Sequence, residues 1–464
     1  MPRDISSFVA RRRRIAEAMR AAGGGVAIVP TAREQRRNGD NDHPFRHGSD
    51  FHYLTGFAEP GAWLVVAADG RSTLVCRSKD VERELWDGIR LGPDAAPAAL
   101  GLDAAVGVDA LDETMVASLG DQPAVWWCFD TPQLGDRIAG WLERIRATSR
   151  SGAEAPTVQR DLAPLLAEMR LHKDPGEVET MRRAAAISAA AHARAMRFCA
   201  RRFRSDPAAT VAEHEIEAEL LHEFRRSGAE GPAYQSTVAA GSNACILHYT
   251  PGPTALRAGE LCLIDAGCEL DGYASDVTRT FPAAGRFSPA QRELYDLVEA
   301  AQRAAAAATR PGARHRDGHA AAVRVLAQGM LDVGLLDRNA VGDVDAAIES
   351  AAYRKFYMHG TGHWLGRDVH DVGDYQSAGE APVAQSDWMG GTVVKKPSRL
   401  LEPGMVLTIE PGIYVRPGEG VPERFWNIGI RIEDDAVVTA DGCELISRGV
   451  PVAAAEIEAL MRDA

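Results

Sequence analysis

Four carboxylates of this 464-residue chain sit on strand-like runs, three of them closing an apolar stretch, where a charge is costly unless a cation answers it. Asp265 ends Leu261-Cys262-Leu263-Ile264, Glu410 ends Val406-Leu407-Thr408-Ile409 ahead of Pro411-Gly412, and Glu433 ends Ile428-Gly429-Ile430-Arg431-Ile432. Asp276 follows Asp265 by eleven residues, across a turn at Asp271-Gly272. That separation suits a hairpin whose period-two alternation brings both side chains to one face. Taken singly, the first pair reads as acids capping a hairpin, and Arg431 with Glu433 as a salt bridge in the core. One partner does not neutralise four carboxylates, however. Nitrogen donors are close in sequence: His359, His363 and His370 fall within twelve residues, and Gly360, Gly362 and Gly366 between them argue against a regular helix. Four carboxylates and an imidazole form a hard donor set, suited to Mn, Co, Fe or Zn held as a pair. Paired ions activate water and polarise a carbonyl, so the implied chemistry is hydrolysis.

The elements that must position these groups follow from hydrophobic periodicity. Short apolar runs at 25–29, 62–67 and 125–127 alternate with helical patterns such as 80–89, which predicts an α/β domain with a mixed sheet. Lys173-Asp174-Pro175 breaks the pattern, with Asp174 placed to cap the next helix, and sets a boundary between domains 1–172 and 173–464. Beyond it, helices are expected over 177–202, 212–226, 289–309, 315–333 and 454–461, and strands at 237–240, 261–266 and through much of the final third. This is an α+β pattern, an antiparallel sheet covered by helices. Along 430–433, alternation sends Arg431 and Glu433 to one side and Ile430 and Ile432 to the other.

Composition removes several classes. A net charge of −13 argues against nucleic acid or an anionic membrane as main partner, and the run Arg11 to Arg14 is expected to form a solvated helix face. Seven scattered cysteines, with no C-x-x-C pair, speak against a disulfide framework or a thiolate zinc site and for the cytoplasm. No apolar run reaches the roughly 18 residues of a membrane helix. His214-Glu215 begins a zinc-protease helix motif, but Ala218 stands where the second His belongs, and Asp337-Arg338-Asn339 is expected to be a turn rather than a calcium loop.

Longer motifs add a resemblance. Pro44-Phe45-Arg46-His47-Gly48-Ser49-Asp50, Asp271-Gly272-Tyr273-Ala274-Ser275-Asp276, His359-Gly360-Thr361-Gly362-His363, Glu402-Pro403-Gly404-Met405 and Gly429-Ile430-Arg431-Ile432-Glu433 occur in the order found in the pita-bread metallopeptidases, and the chain most resembles their aminopeptidase P branch. The resemblance implies a pita-bread fold for the second domain and hydrolysis of the bond between an N-terminal residue and a following proline. It implies Asp265, Asp276, His363, Glu410 and Glu433 as ligands of two divalent ions, with Asp276 and Glu433 bridging. A hydroxide bridging the ions would attack, with Glu410 as proton shuttle. Manganese is the expected metal. His248 and His370 match histidines at the scissile peptide, His359 one lining the proline pocket, and Arg431 an arginine that can meet a peptide carboxylate. Trp86 is similar to an aromatic that reaches a neighbouring subunit, which implies a homodimer or homotetramer. Prolidase action on dipeptides, and a metal-free peptide-binding module on the same scaffold, are the alternatives. The segment 376–396 is longer than the compact form of this loop and reads as an exposed lid bearing 387–391.

Overall fold

The computed structural model describes residues 5–148, 150, 152–386 and 392–464. It divides into two compact units, Met1–Met169 and Arg170–Ala464.

The first unit is built on a six-stranded mixed sheet. Its central strand, Val26–Pro30, runs antiparallel to Trp63–Ala67 and parallel to Ala124–Trp127. Alternation divides the strand between two cores. Ala27 and Val29 pack with Ile15 and Met19 of the helix Ser6–Ala21, while Val26 and Ile28 pack with Ile138 and Trp141 of the helix Pro132–Ala147. The basic run corrects one expectation. Arg11 and Arg12 are buried, because their guanidiniums cap backbone carbonyls: Arg11 donates to Tyr53 O, and Arg12 to Leu54 O, Leu100 O and Gly101 O. Orphan carbonyls at helix ends, rather than solvent, hold half of the run.

The second unit is α+β. Its long helices start where local chemistry dictates. Asp174 and Glu177 form a reciprocal capping box at the head of Pro175–Ser205, and Ser288 and Gln291 do the same for Pro289–Ala308. Helices Pro289–Ala308 and His315–Asp332 pack on each other and against short antiparallel sheets. Leu261–Asp265 pairs with both Thr237–Ala240 and Thr278–Pro282, Val406–Ile409 with Asp434–Val438, and Gly412–Val415 with Ile428–Arg431. Ile264, Ile409, Ile430 and Ile432 share one apolar core, so each strand offers its opposite side to the polar residues. Truncating such a residue to alanine costs about 2–5 kcal/mol.

One local expectation changes: Asp337 caps a short helix, Arg338–Val341, rather than a turn. The segment 376–396 contains a β-hairpin, Val383–Ser386 paired with Thr392–Lys395; residues 387–391, expected to belong to an exposed lid, lie outside the described residues.

Candidate active site

Asp265 closes its strand opposite Thr278, and the chain then runs through Cys268–Leu270, reverses at Asp271 (φ 52°) and Gly272 (φ 74°), and returns along Tyr273–Ala274. Gly267 makes this narrow fold feasible, since a Cβ there would lie 1.7 Å from Ser275 O. Asp276 is thereby carried to Asp265: the Tyr234 hydroxyl lies 2.6 Å from an oxygen of each carboxylate. Glu433 joins them from the next sheet. Its backbone N–H donates to Thr278 O at 3.1 Å, and its carboxylate accepts the Thr278 hydroxyl at 2.6 Å.

The histidine-bearing loop lies beside Val406–Ile409 as an irregular extra strand, with Thr408 N–H donating to His363 O and Glu410 N–H to Thr361 O. Its glycines serve close approach rather than a left-handed backbone. A Cβ on Gly362 would sit 2.0 Å from Thr408 O, and one on Gly366 2.1 Å from Asp371 Oδ2. His363 Nδ1 lies 2.9 Å from Trp364 O, which turns Nε2 toward Asp276 at 3.4 Å and Glu410 at 3.8 Å. Asp276, His363 and Glu433 each present a ligating atom, all within 4.8 Å of one another.

Arg431 pairs with Asp265 at 2.5 Å, not with Glu433, and also donates to Tyr414 Oη and Thr278 Oγ1. The core salt bridge that sequence alone allowed is therefore not the one formed. His359 Nε2 lies 2.8 Å from Tyr414 Oη, and its Nδ1 3.8 Å from Glu410. His370 is exposed, its ring 4.2 Å from that of His363. His248 is exposed in the turn after the 3-10 segment Gly241–Cys245, near enough to His359 and His370 to add to burial in lowering the pKa of each. Trp86 belongs to the amino-terminal unit, on the helix Val81–Asp87, and is 85% exposed.

Sequence reasoning missed the residues that brace this arrangement. Tyr234 lies in an aperiodic stretch and gave no signal. Asp435 accepts the Asp276 N–H, and three consecutive acids at 433–435 were the available hint. Asp371 is buried between Arg170 at 2.5 Å and Lys173 at 3.0 Å, and so anchors the loop at His370. Glu213 accepts from Ala240 N–H, Asn243 Nδ2 and Gly252 N–H, and ties down the loop that carries His248.

The electrostatics are those of a cluster short of positive charge. Burial raises the pKa values of Asp276 and Glu433, and the neighbouring carboxylates add to the rise. Burial pushes Glu410 up to about 7 against the opposing charges of His363 and Arg431. For His363 burial acts downward, but its contact with Asp276 and the charges of Asp276 and Glu410 outweigh it, to about 9. Three carboxylates and an imidazole with raised proton affinity, together with Asp265 beside them, make a hard donor set that fits divalent cations.

Relatives carry the same architecture. Residues 179–440 match the model of metallopeptidase family M24, and residues 8–126 that of the aminopeptidase P N-terminal domain. The chain is 41% identical to the Xaa-Pro aminopeptidase of Escherichia coli, over 99% of this chain and 98% of that one. It is 32% identical to human Xaa-Pro aminopeptidase 3, over 91% of this chain and 78% of the relative. Among solved structures, an aminopeptidase of Pseudomonas aeruginosa superposes with a TM-score of 0.90 at 45% identity, covering 100% of this chain and 99% of that one. Aminopeptidase P from E. coli with the inhibitor Pro-Leu superposes with a TM-score of 0.89 at 40% identity, over 100% and 99%. With its clustered acids and histidine carried on the matching segments, the chain belongs to metallopeptidase family M24, and its amino-terminal unit to the aminopeptidase P N-terminal domain family.

Proposed function

We propose that this protein is a divalent-metal-dependent Xaa-Pro aminopeptidase, which releases the N-terminal residue of peptides that carry proline second. The observation that carries the reading is the convergence of Asp265, Asp276, His363, Glu410 and Glu433 from three sheets and a loop on one buried, negatively charged centre. These five residues would hold a pair of divalent ions, which supply Lewis acidity toward a carbonyl and lower the pKa of water. We take Asp276 and Glu433 as the bridging carboxylates and manganese as the favoured ion, with Co, Fe and Zn accepted by the same donors.

The rest of the work falls to the chain's own groups. Glu410, raised to about 7, can accept a proton from the attacking water and deliver it to the proline nitrogen as the C–N bond breaks. His370 and His248 flank the centre on its exposed side and can donate to the developing oxyanion. His359 and Tyr414 form a polar wall beside Glu410 suited to the proline ring. Arg431 holds Asp265 and Tyr414 in place and adds positive potential for a peptide carboxylate. Assembly as a homodimer or homotetramer would give the exposed Trp86 a role at a neighbouring site. No helix among the described residues is long and apolar enough to cross a membrane, and a cytoplasmic location is our reading.

The test is to strip the protein of metal, reload it with Mn, and assay Xaa-Pro dipeptides, longer Xaa-Pro-Yaa peptides and proline-free controls. Cleavage of the longer set before proline is expected. Activity confined to dipeptides would make it a prolidase, and no turnover with any metal would leave a binding module.

A further inference from the structure

The hairpin that carries Asp276 back to Asp265 is pressed against the helix Pro175–Ser205. Beyond its first turn, the buried side of that helix is built of Ala, Val, Met, Cys and Phe, interrupted by Ser188 and His192, both completely buried. These two stand one turn apart, and with Ala184 they form a stripe at intervals of four residues along one face. Every member of the stripe touches the hairpin. Cys268 Sγ donates to Ala184 O at 3.4 Å, Cys268 N–H donates to Ser188 Oγ at 3.0 Å, the hydroxyls of Ser188 and Ser275 lie 2.7 Å apart, and His192 Nε2 lies 2.9 Å from Ala266 O.

These contacts fall beside the two carboxylates. Ala266 follows Asp265 directly, Ser275 precedes Asp276 directly, and Ala266 N–H in turn donates to Val277 O at 3.0 Å. A single helical turn therefore grips both arms of the hairpin next to the acids they bear. Apolar packing does not account for the residues chosen. Burial keeps His192 neutral, with its pKa lowered to about 4, so its one N–H lies on Nε2, facing the carbonyl. Nδ1 is left buried with no hydrogen-bond partner among the described residues, a penalty that an apolar side chain would avoid. The short Ser188 side chain reaches the hairpin because alanines at 184, 185 and 189 let the helix come close.

We infer that Ser188 and His192 are positioning residues of the metal centre, which fix the separation of Asp265 and Asp276 by holding the hairpin backbone on either side of them. The inference rests on the proposed reading of these two acids as metal ligands. Groups that orient ligands from behind change metal affinity by about 10- to 100-fold when removed.

The test titrates metal-stripped protein with Mn, counting free ions by electron paramagnetic resonance, and follows thermal melts in parallel. His192→Met keeps the volume and removes the donor. In it the more weakly held ion should bind about tenfold less tightly. His192→Gln, whose amide N–H can reach the same carbonyl, should return to within about twofold of wild type. Ser188→Ala, a mild change in an Ala-rich helix, should weaken the same ion about threefold. Phe203→Leu disturbs an equally buried position three turns further along the helix, and should lower the melting temperature while binding Mn as wild type does. Wild-type affinity in His192→Met, or in Ser188→Ala if His192→Met does not fold, would overturn the inference. So would a loss in Phe203→Leu or His192→Gln equal to that in His192→Met, since general loosening of the helix would then be the cause. Wild-type protein that takes up no Mn would sink the functional reading and the inference together, whereas wild type and variants that bind it alike sink the inference alone.

Discussion

Glu433 and Asp434 are neighbours in sequence, both buried, and opposite in physical character. Asp434 accepts from Arg279 at 2.7 Å, Gln302 at 2.7 Å, Ser447 at 2.6 Å and Arg448 at 2.8 Å, so two cations and two neutral donors answer one charge. Glu433 accepts from Thr278 and faces Asp276, Glu410 and Asp265, whose charges add to burial in raising its pKa. A buried carboxylate with its cations built in ties elements together; one crowded by other carboxylates is stable only if it takes up protons or ions. The contrast separates an acid with its counter-charges built in from one without them at adjacent positions of the chain, where burial alone does not.

The sharpest way to break the comparison is to neutralise one functional acid. Asp276→Asn should lower kcat on an Xaa-Pro peptide by at least about 10³-fold, near 4 kcal/mol of barrier, with the circular dichroism spectrum retained. Undiminished hydrolysis would refute its assignment as a ligand. On the structural side, Asp434→Ala leaves Arg279 buried without its partner. It should cost about 3–5 kcal/mol in denaturant unfolding while the folded fraction still binds metal. Loss of metal with stability unchanged would reverse the roles assigned to the two residues.

Chelation probes the same contrast through pH. Glu410 and His363 both have pKa values raised in the folded state, from 4.5 to about 7 and from 6.5 to about 9. Raised values mean that the folded chain holds these protons more tightly. Their contribution is complete below the unfolded values and disappears as pH climbs through the folded ones. Metal-free protein should therefore melt at progressively lower temperature between about pH 5 and 9, whereas added Mn should stabilise it more as pH rises, because ions displace the protons. A melting temperature of the metal-free form that is flat or rising over that interval would contradict the charge balance. The smallest effect is expected for Tyr234→Phe, which removes the hydroxyl between Asp265 and Asp276. It should destabilise the metal-free form by about 1–2 kcal/mol, and thermal melts with and without metal would show whether ions make that hydroxyl dispensable.

Much of the candidate site was legible in the primary structure. Asp265, Glu410 and Glu433 stood out because an acid closing an apolar strand is an expensive choice, and the Asp271-Gly272 turn explained how Asp276 returns to Asp265. The capped helix start at Asp174 was equally local. Arg11 and Arg12 were misread because a guanidinium that caps carbonyls forty residues and more away has no local signature. Tyr234, Asp371 and Glu213 escaped for the same reason, since each acts across dozens of residues or more.

Sequence by itself thus determined which residue types were available, where strands and helices start, and that hard donors for divalent ions were present, since those follow from periodicity, capping and side-chain chemistry over a few neighbours. Only the tertiary structure decided that Arg431 serves Asp265 rather than Glu433, and that Asp434 is answered by cations while the acid before it is not. Electrostatic energy depends on distance through space and on burial, and both are properties of the folded chain.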